Sequence, residues 1–500
     1  MRKLLKIMGY IFLAIIVLMF VTTLLLTKVI DPNNYKTQIE QLAFDKTHRH
    51  VVISGPISWS FFPWLGLHIS QVKISNTAEF TGDLADIGEL QLRVRALPLL
   101  TGKVEVKELD LNNITVNFSE SAQGESNFHG YKKLYSVSNA ANYQSILHIN
   151  LIPLRALNIH DLQINNANIR IQQAKKTWNF NAINLRMSEF DFNKNFPLQL
   201  SFNVKQDNSP NVIKTTITTL ARLNPMTLEM VLPELTINST LVRPKLPPMA
   251  VKLTGKVIYD NTNQSIQLNQ GEIDLANLKM FTTLSINKIF KKPTIQLDIK
   301  SNDAQMQALL RNVWNKDFIH GKFNFTANLR DKGENLQQLL ENLQGTGQFN
   351  LQNGAVEGTN IEYFLDQALS FLANKPAPAK PAGPSQTPFT SLAGSFTINR
   401  GVLQNKDLKL VSNHILVNGN GRIDLSNQSI HSELEAQYQN ANSSDHNSFA
   451  LPLIVTGTCS DPVIQPNFDA IARKVISTQL QPYLEKVKKK IGIEIKSLLH

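Results

Sequence analysis

Residues 104–118 read VEVKELDLNNITVNF, and apolar side chains alternate with polar ones along most of this stretch. Alternation with a period of two places the apolar side chains on one face of a β-strand. The alternation breaks at Lys107-Glu108 and again at Asn112-Asn113. We expect a bulge and a tight turn at these breaks, because Asn tolerates left-handed backbone angles. The stretch therefore predicts strand structure with one apolar face.

The same pattern returns 53 residues further along the chain, where Asp161 takes the place of Glu108 and Asn165-Asn166 repeats the asparagine pair. Two copies of a one-faced unit at a fixed offset indicate an extended, repetitive sheet rather than a compact enzyme. The apolar positions are Val104, Val106, Leu109, Leu111, Ile114, Val116 and Phe118 in the first copy, and Leu157, Ile159, Leu162, Ile164, Ala167, Ile169 and Ile171 in the second.

The composition fits a folded chain with a limited set of partners. Of the 500 residues, 42% are hydrophobic and 18% are charged, which argues against wholesale disorder. Cys459 is the single cysteine, so an internal disulfide and a cysteine metal cluster are both excluded. The net charge of +11 favours acidic surfaces, but it is spread along the chain and no nucleic-acid motif accompanies it. We therefore expect no nucleic-acid partner.

Residues 7–26 carry no charge and would span about 30 Å as a helix, which matches the core of a bilayer. Arg2, Lys3 and Lys6 precede this run, so the N-terminus is predicted to stay in the cytoplasm. A cleaved signal peptide is the alternative, but the run exceeds the usual apolar core and no small-x-small cleavage site follows. We predict an uncleaved, single-pass signal anchor, with the bulk of the chain outside the cytoplasm.

An aromatic group, formed by Trp59, Phe61, Phe62 and Trp64, follows the anchor closely. These rings form either an interfacial belt that contacts the membrane or the core at the start of the sheet. The core interpretation is favoured, because scattered aromatic residues are usually core.

Short motifs at both ends of the chain resemble the AsmA family. In the N-terminal part they are DPN at 31–33, FPW at 62–64, VKISN at 72–76, LPLL at 97–100 and LDL at 109–111. In the C-terminal part they are LQG at 343–345, LQNG at 351–354, TPFTSL at 387–392, GNG at 419–421 and LPLIVTGT at 451–458.

This resemblance implies a bridge-type lipid-transfer protein with roles in outer-membrane lipid homeostasis and outer-membrane protein assembly. The implied partners are phospholipid or another acyl lipid, the inner membrane, and the outer membrane or its proteins. No cofactor is implied. The rival hypothesis is a scaffold or chaperone-like factor that helps outer-membrane proteins assemble by strand-edge pairing, and a membrane-tethered hydrolase is a distant third.

The sequence offers no catalytic or metal-binding constellation. HExxH, P-loop, GxSxG and GxGxxG motifs are all missing from the sequence. His48 and His50 alternate as on one face of a strand, but no carboxylate or cysteine nearby completes a metal set. The sequence therefore predicts a protein that is not an enzyme and that binds no metal.

Helices are few, at 303–314, 336–343 and 361–372, so they cannot cover every strand. The sheet must then close on itself as a sandwich or curl into a groove that holds another apolar molecule. The C-terminal basic helix at 467–500 either lies on an anionic membrane or caps the sheet.

The predicted fold is mainly β: a transmembrane helix, then an elongated, repetitive, curled antiparallel sheet that forms an apolar groove. The predicted divisions are 1–6 (cytoplasmic), 7–27 (anchor), 28–118 (N-terminal module), 119–300 (middle repetitive region), 301–466 (C-terminal module, with a Pro-rich inserted loop at 375–388) and 467–500 (basic helix).

Overall fold

The computed structural model describes residues 31–473 except 48, 61–64, 78, 96–105, 121–125, 128–159, 174–175, 193, 276–277, 290–291, 334–335 and 440–448. Several predictions fall outside the described residues: the membrane segment at 7–27, the basic helix beyond 473, Val104, Leu157, Ile159, Phe61, Phe62 and Trp64. Among the residues that the structure describes, no helix has both the length and the apolar character that crossing a bilayer requires.

The chain divides into two compact units, residues 1–258 and 259–500, and both consist mainly of strands. The mainly β fold predicted from the sequence is therefore confirmed. The strands of the first unit are β1 (Val51–Ile53), β2 (Ile57–Ser60), β3 (Leu65–Ser75), β4 (Asp83–Val94), β5 (Val106–Ser119), β6 (Asp161–Gln173), β7 (Lys176–Met187), β8 (Phe196–Gln206), β9 (Val212–Leu223) and β10 (Met230–Arg243). Strand β11 (Leu246–Asp260) contains the boundary between the units.

The first unit is built by pairing strands that are neighbours in sequence. β1 and β2 both pair with β3, and each strand from β4 to β10 pairs with the strand before it. All of these pairs are antiparallel except β5–β6, which is parallel. The prediction of an antiparallel sheet is therefore wrong at this one pair. The long connection from Ser119 to Asp161 allows the chain to return in the same direction.

A helix covers the beginning of the first sheet. A 3-10 turn at Pro32–Tyr35 leads into α1 (Lys36–Thr47), and the Asp31 side chain caps the turn by accepting a hydrogen bond from Asn33 N. Pro32 has no N–H to satisfy, which suits the first helical position. Ile39 of α1 packs against the buried cluster of Ile53, Ile57 and Val72. Asp31 and Pro32 therefore mark the start of the helical segment.

The second unit is an antiparallel meander in which each strand pairs with the next. Its strands are β12 (Ser265–Leu275), β13 (Leu278–Asn287), β14 (Thr294–Gln305), β15 (Lys322–Lys332), β16 (Gln344–Glu357), β17 (Gln386–Asn399), β18 (Val402–Val411), β19 (Ile415–Asp424), β20 (Ser429–Tyr438), β21 (Leu451–Thr458) and β22 (Asp461–Pro466).

Three helices connect strands of the second unit: α2 (Met306–Trp314), α3 (Leu336–Asn342) and α4 (Ile361–Leu372). The prediction that the first begins at 303 is wrong by one turn, because Ala304 still pairs with Phe323 in the β14–β15 ladder. Helix α4 begins and ends at the predicted residues. Residues 468–473 are helical, at the start of the predicted basic helix.

The segment without regular structure after α4 is shorter than the Pro-rich composition predicts. It ends at Ser385, because Gln386–Pro388 already pair with Ala355–Glu357 in β16. Thr387 is buried, and its hydroxyl accepts a hydrogen bond from Ile361 N at 3.0 Å and donates one to Thr359 O at 2.7 Å. These bonds join the second residue of β17 to the start of α4.

Helix α4 closes a core in the second unit. Ile361 and Leu365 of α4 pack against Leu410 and Val417 of the sheet, in a cluster that also contains Leu451. Leu365 and Leu451 are fully buried. This part of the sheet is therefore covered in the way that an ordinary globular core is covered.

Candidate functional site

A row of aliphatic side chains crosses the first sheet without interruption. Each member is the direct cross-strand partner of the next, so all lie on the same face of the sheet. The first row contains nine residues, one from each of β2 to β10: Ile57, Ile69, Leu90, Leu111, Ile164, Leu185, Leu200, Ile217 and Ile237.

Two further rows flank the first, and the three together are called the apolar face. The second row is Val51, Ile74, Ala85, Val116, Ile169, Phe180, Val204, Ile213 and Leu241. The third row is Trp59, Leu67, Leu92, Leu109, Leu162, Met187 and Leu198, and it ends at Thr219.

A line of irregular residues separates the first row from the second and keeps both on one face. Gln71, Asn113, Asn166 and Ala182 have φ between 50° and 55°, which breaks the alternation of each strand once. Between Gln71 and Asn113 lies Gly88, where an added Cβ would come within 2.9 Å of the Asn113 Cβ. The predicted tight turn at Asn112-Asn113 is wrong: β5 continues through both residues, and Asn113 adopts a left-handed conformation within the strand.

The other break in β5 is a bulge, as predicted. Arg93 pairs with Glu108 while Val94 pairs with Val106, so Lys107 is the additional residue. This bulge lets Val106 and Leu109 both contribute to the apolar side of β5 although three positions separate them.

The apolar face is only partly covered. Among the first two rows, Ile57 and Ala85 are buried and Ile213 is exposed, while every other member is half-buried. The described part of this unit contains no helix after α1, which packs at the β1–β3 end. Within the described ranges, no helix covers the middle of the face, from β5 to β10, in the way that α4 covers the core of the second unit.

Six of the predicted groove residues are members of the three rows: Leu109, Leu111, Val116, Leu162, Ile164 and Ile169. Val106 is buried, while the remaining described candidates are half-buried: Leu109, Leu111, Ile114, Val116, Phe118, Leu162, Ile164, Ile169 and Ile171. The two sequence repeats lie side by side, because Leu109, Leu111, Val116 and Phe118 pair with the residues 53 positions later.

Sequence reasoning missed the members of the rows outside the repeat, such as Ile69, Leu90, Leu185, Leu200 and Ile217. Their own strands do show the signal: in β8, for example, residues 198–205, LQLSFNVK, alternate strictly between apolar and polar. The alternation alone does not say which strands are neighbours.

Trp59 is the one described member of the predicted membrane-interface group. It pairs with Leu67 in β2–β3 and is half-buried at the end of the third row. It therefore extends the apolar face toward the start of the sheet.

The opposite face of the same strands is polar and charged. Gln91, Asp110, Gln163, Arg186 and Gln199 form a cross-strand row there. Arg93 forms an ion pair with Glu108 nearby. Burial, and then the Glu108 carboxylate, raise the pKa of Asp110, whose Oδ1 is buried without a hydrogen-bond partner among the described residues. The sheet thus separates charge from the apolar face.

The second unit carries a comparable row of its own. Leu268, Leu284, Leu297 and Leu329 are successive cross-strand partners, and the row continues through Gly345 to Ile398, Leu403, Ile423 and Ile430. Within the described ranges, no group of three His, Cys, Asp or Glu side chains is arranged to hold a metal ion.

The comparisons with known proteins give a family. Neither the curated proteins nor the solved structures include a significant match. The profile of the AsmA family matches residues 1–297 and 251–408, which together make up most of the chain. The matched segments include the whole apolar face and the middle region, where the sequence motifs are sparse. This chain belongs to the AsmA family.

Proposed function

We propose that this chain is an inner-membrane-anchored periplasmic protein that binds phospholipid on its apolar face. It conducts the lipid between the inner and outer membranes and so supports outer-membrane biogenesis. The observation that carries this proposal is the first row: an unbroken line of aliphatic side chains across successive strands, all of them half-buried except the buried Ile57.

The length of the row suits an acyl chain that moves along it. Eight strand-to-strand steps at about 4.8 Å make the row about 38 Å long, which exceeds the roughly 30 Å core of a bilayer. A lipid chain on this path exchanges one aliphatic contact for the next and does not meet a charge.

The energetic reason for such a path is the cost of exposing acyl chains to water. Each CH₂ group costs about 0.8 kcal/mol, so a dozen groups cost about 10 kcal/mol. A continuous apolar surface lowers this barrier. The transfer needs no cofactor and no catalytic group, so we propose a non-enzymatic role.

The polar side chains are arranged in a way that supports the same role. Arg93, Glu108 and Arg186 lie on the opposite face, where Arg93 forms an ion pair with Glu108. An acyl chain on the apolar face therefore does not desolvate them, and a lipid headgroup can remain in water at the rim.

We further propose that residues 7–27 anchor the chain in the inner membrane with the N-terminus in the cytoplasm. A reporter enzyme that is active only outside the cytoplasm, fused after His500, should be active. The fusion protein should also stay in the membrane pellet after a carbonate wash, and its release into the soluble fraction would show that the segment is removed.

The lipid role is tested with two neighbouring substitutions in the bulge-free strand β8. Leu200 lies in the first row and is half-buried, while Gln199 is exposed on the opposite face. We expect Leu200→Glu to lower the phospholipid that copurifies with the full chain, as measured by mass spectrometry. The matched control Gln199→Glu should retain it.

The thermal stability of the same two variants separates a lipid-binding face from a closed core. On an open face the new carboxylate reaches water, so Leu200→Glu should unfold close to the temperature of the parent chain. A closed core would bury the carboxylate without a partner at a cost of several kcal/mol and lower the protein's abundance. If the chain copurifies with an unfolded outer-membrane barrel protein and not with lipid, the result would favour the scaffold hypothesis.

A further inference from the structure

The end of helix α4 exposes two large apolar side chains to solvent. Phe371 is 79% exposed and Leu372 is 43% exposed, although Ile361 and Leu365 on the same helix are buried in the core. Helix α4 thus extends beyond the sheet that it covers. We call residues 371–375 the α4 tip, and all of them are exposed.

The backbone N–H groups of Ala373, Asn374 and Lys375 are all paired within the end of the helix. Ala373 N donates to Leu369 O, Asn374 N to Phe371 O and Lys375 N to Ser370 O, at 2.8–3.1 Å. Asn374 has φ of 54°, which turns the chain back at the end of the helix. Three of the last helical carbonyls are therefore paired, so apolar surroundings would not leave them without a partner.

The charge around the α4 tip is positive. From Gln367 to Lys406 the sequence contains no acidic residue, and Lys375 and Lys380 are both exposed. The acidic side chains on α4 itself face other groups: Asp366 accepts a hydrogen bond from the Tyr438 hydroxyl, and Glu362 lies 3.1 Å from His414 Nδ1.

An exposed apolar pair beside lysines, on a helix end whose N–H groups at 373–375 are already paired, has the chemistry of a membrane-surface contact. We propose that the α4 tip docks on an anionic lipid surface, with Phe371 and Leu372 inserted among the acyl chains and Lys375 and Lys380 at the phosphates. The contact is independent of the apolar face of the first unit, and it stands whether or not that face carries lipid.

The test places an environment-sensitive fluorophore beside the apolar pair without removing it. Ala373→Cys is labelled in a Cys459→Ser background, since Cys459 is the single cysteine of the chain. The control label is at Met226→Cys, because Met226 is also 79% exposed but lies on a turn of the first unit. The full chain is held in nanodiscs of phosphatidylcholine, and vesicles are then added.

We expect vesicles that contain phosphatidylglycerol to shift the emission of the probe at 373 to shorter wavelength and leave the probe at 226 unchanged. Phe371→Ser together with Leu372→Ser should weaken the vesicle affinity by about tenfold or more. Lys375→Glu with Lys380→Glu, or high salt, should also weaken it.

Three results would overturn the proposal: no shift at 373, an equal shift at 226, or an equal shift with vesicles of phosphatidylcholine alone. A shift that depends on protein concentration without added vesicles would show that a second copy of the chain covers the tip. That result would also overturn it.

Discussion

The side-chain amide of Asn166 donates a hydrogen bond to the side-chain carbonyl of Asn113, and the Nδ2–Oδ1 distance is 2.8 Å. The two residues are 53 positions apart in sequence and have φ of 55° and 54°. Asn165 and Asn112 form the same contact beside them at 2.9 Å. The repeat thus places identical residues side by side, because β5 and β6 pair in parallel at this offset.

The left-handed backbone at Asn166 should make this position intolerant of β-branched residues. We expect Asn166→Val to lower the free energy of unfolding by about 1–2 kcal/mol more than Asn165→Val. Both changes remove one amide–amide hydrogen bond, but Asn165 is not among the residues with positive φ. Thermal unfolding of the two variants measures the difference.

Asn166→Gly is the control for this prediction, since glycine adopts positive φ without a steric cost. It should be less destabilising than Asn166→Val. Equal losses for Asn165→Val and Asn166→Val would show that the hydrogen bonds, and not the backbone conformation, make the asparagine pair important.

The sequence alone predicts the one-faced strands and their repeat, because the alternation of residues 104–118 is local information. It also predicts that the asparagines interrupt the alternation. It does not predict that Asn113 and Asn166 become neighbours. That contact depends on a parallel pairing of β5 with β6, and an alternating pattern fits parallel and antiparallel partners equally well.

The same reasoning explains why the predicted boundaries of helix α2 and of the Pro-rich loop differ from the observed ones. Asp303–Gln305 suit the helical pattern of α2, but Ala304 gains a partner in β15 and remains in the strand. Thr387 lies in a Pro-rich stretch, yet its hydroxyl is fixed by Ile361 N and Thr359 O across the fold. Both outcomes depend on contacts with residues that are distant in sequence, so local composition does not reveal them.

The charge of Asp110 should make the stability of the chain depend on pH in a defined direction. Burial and Glu108 raise the pKa of Asp110, so its ionised form destabilises the folded state above that pKa. Asp110→Asn should therefore raise the free energy of unfolding at neutral pH. The gain should disappear as the pH falls through the raised pKa toward the ordinary carboxyl value.

Asp407→Asn is the comparison with the opposite sign. Hydrogen bonds from Ser395 N and Ser395 Oγ hold the pKa of Asp407 below its usual value, so its ionised form stabilises the folded state. This variant should lose stability at neutral pH, and the loss should fade as the pH falls through the lowered pKa. Urea unfolding at several pH values measures both, and the same sign for both would contradict the assignment.

Thr387 should contribute more to the free energy of unfolding than its place in a Pro-rich stretch suggests. Thr387→Val leaves the Ile361 N–H and the Thr359 carbonyl without this partner in a buried position, which should cost about 1–3 kcal/mol. The matched control is Thr390→Val on the same strand, where the hydroxyl also donates to a carbonyl but the residue is exposed. Equal unfolding temperatures for the two variants would contradict this role.

The exposed segment after α4 should tolerate deletion up to the start of β17. Replacement of residues 376–385 by a short Gly-Ser bridge should leave the unfolding temperature nearly unchanged, because these residues are mostly exposed. Extension of the deletion through Pro388 removes Thr387 and should destabilise the chain. If both deletions are equally harmless, the strand boundary at Gln386 has no energetic importance.

The most direct test of the lipid-transfer account is photo-crosslinking inside cells at two adjacent positions of β6. Ile164 lies in the first row, while Gln163 lies on the opposite face between Asp110 and Arg186. With a photoreactive amino acid at each position in turn, the account predicts phospholipid adducts at 164 and none at 163, as read by mass spectrometry of the purified chain. Equal labelling at both positions, or none at either, would contradict the claim that the apolar face carries lipid.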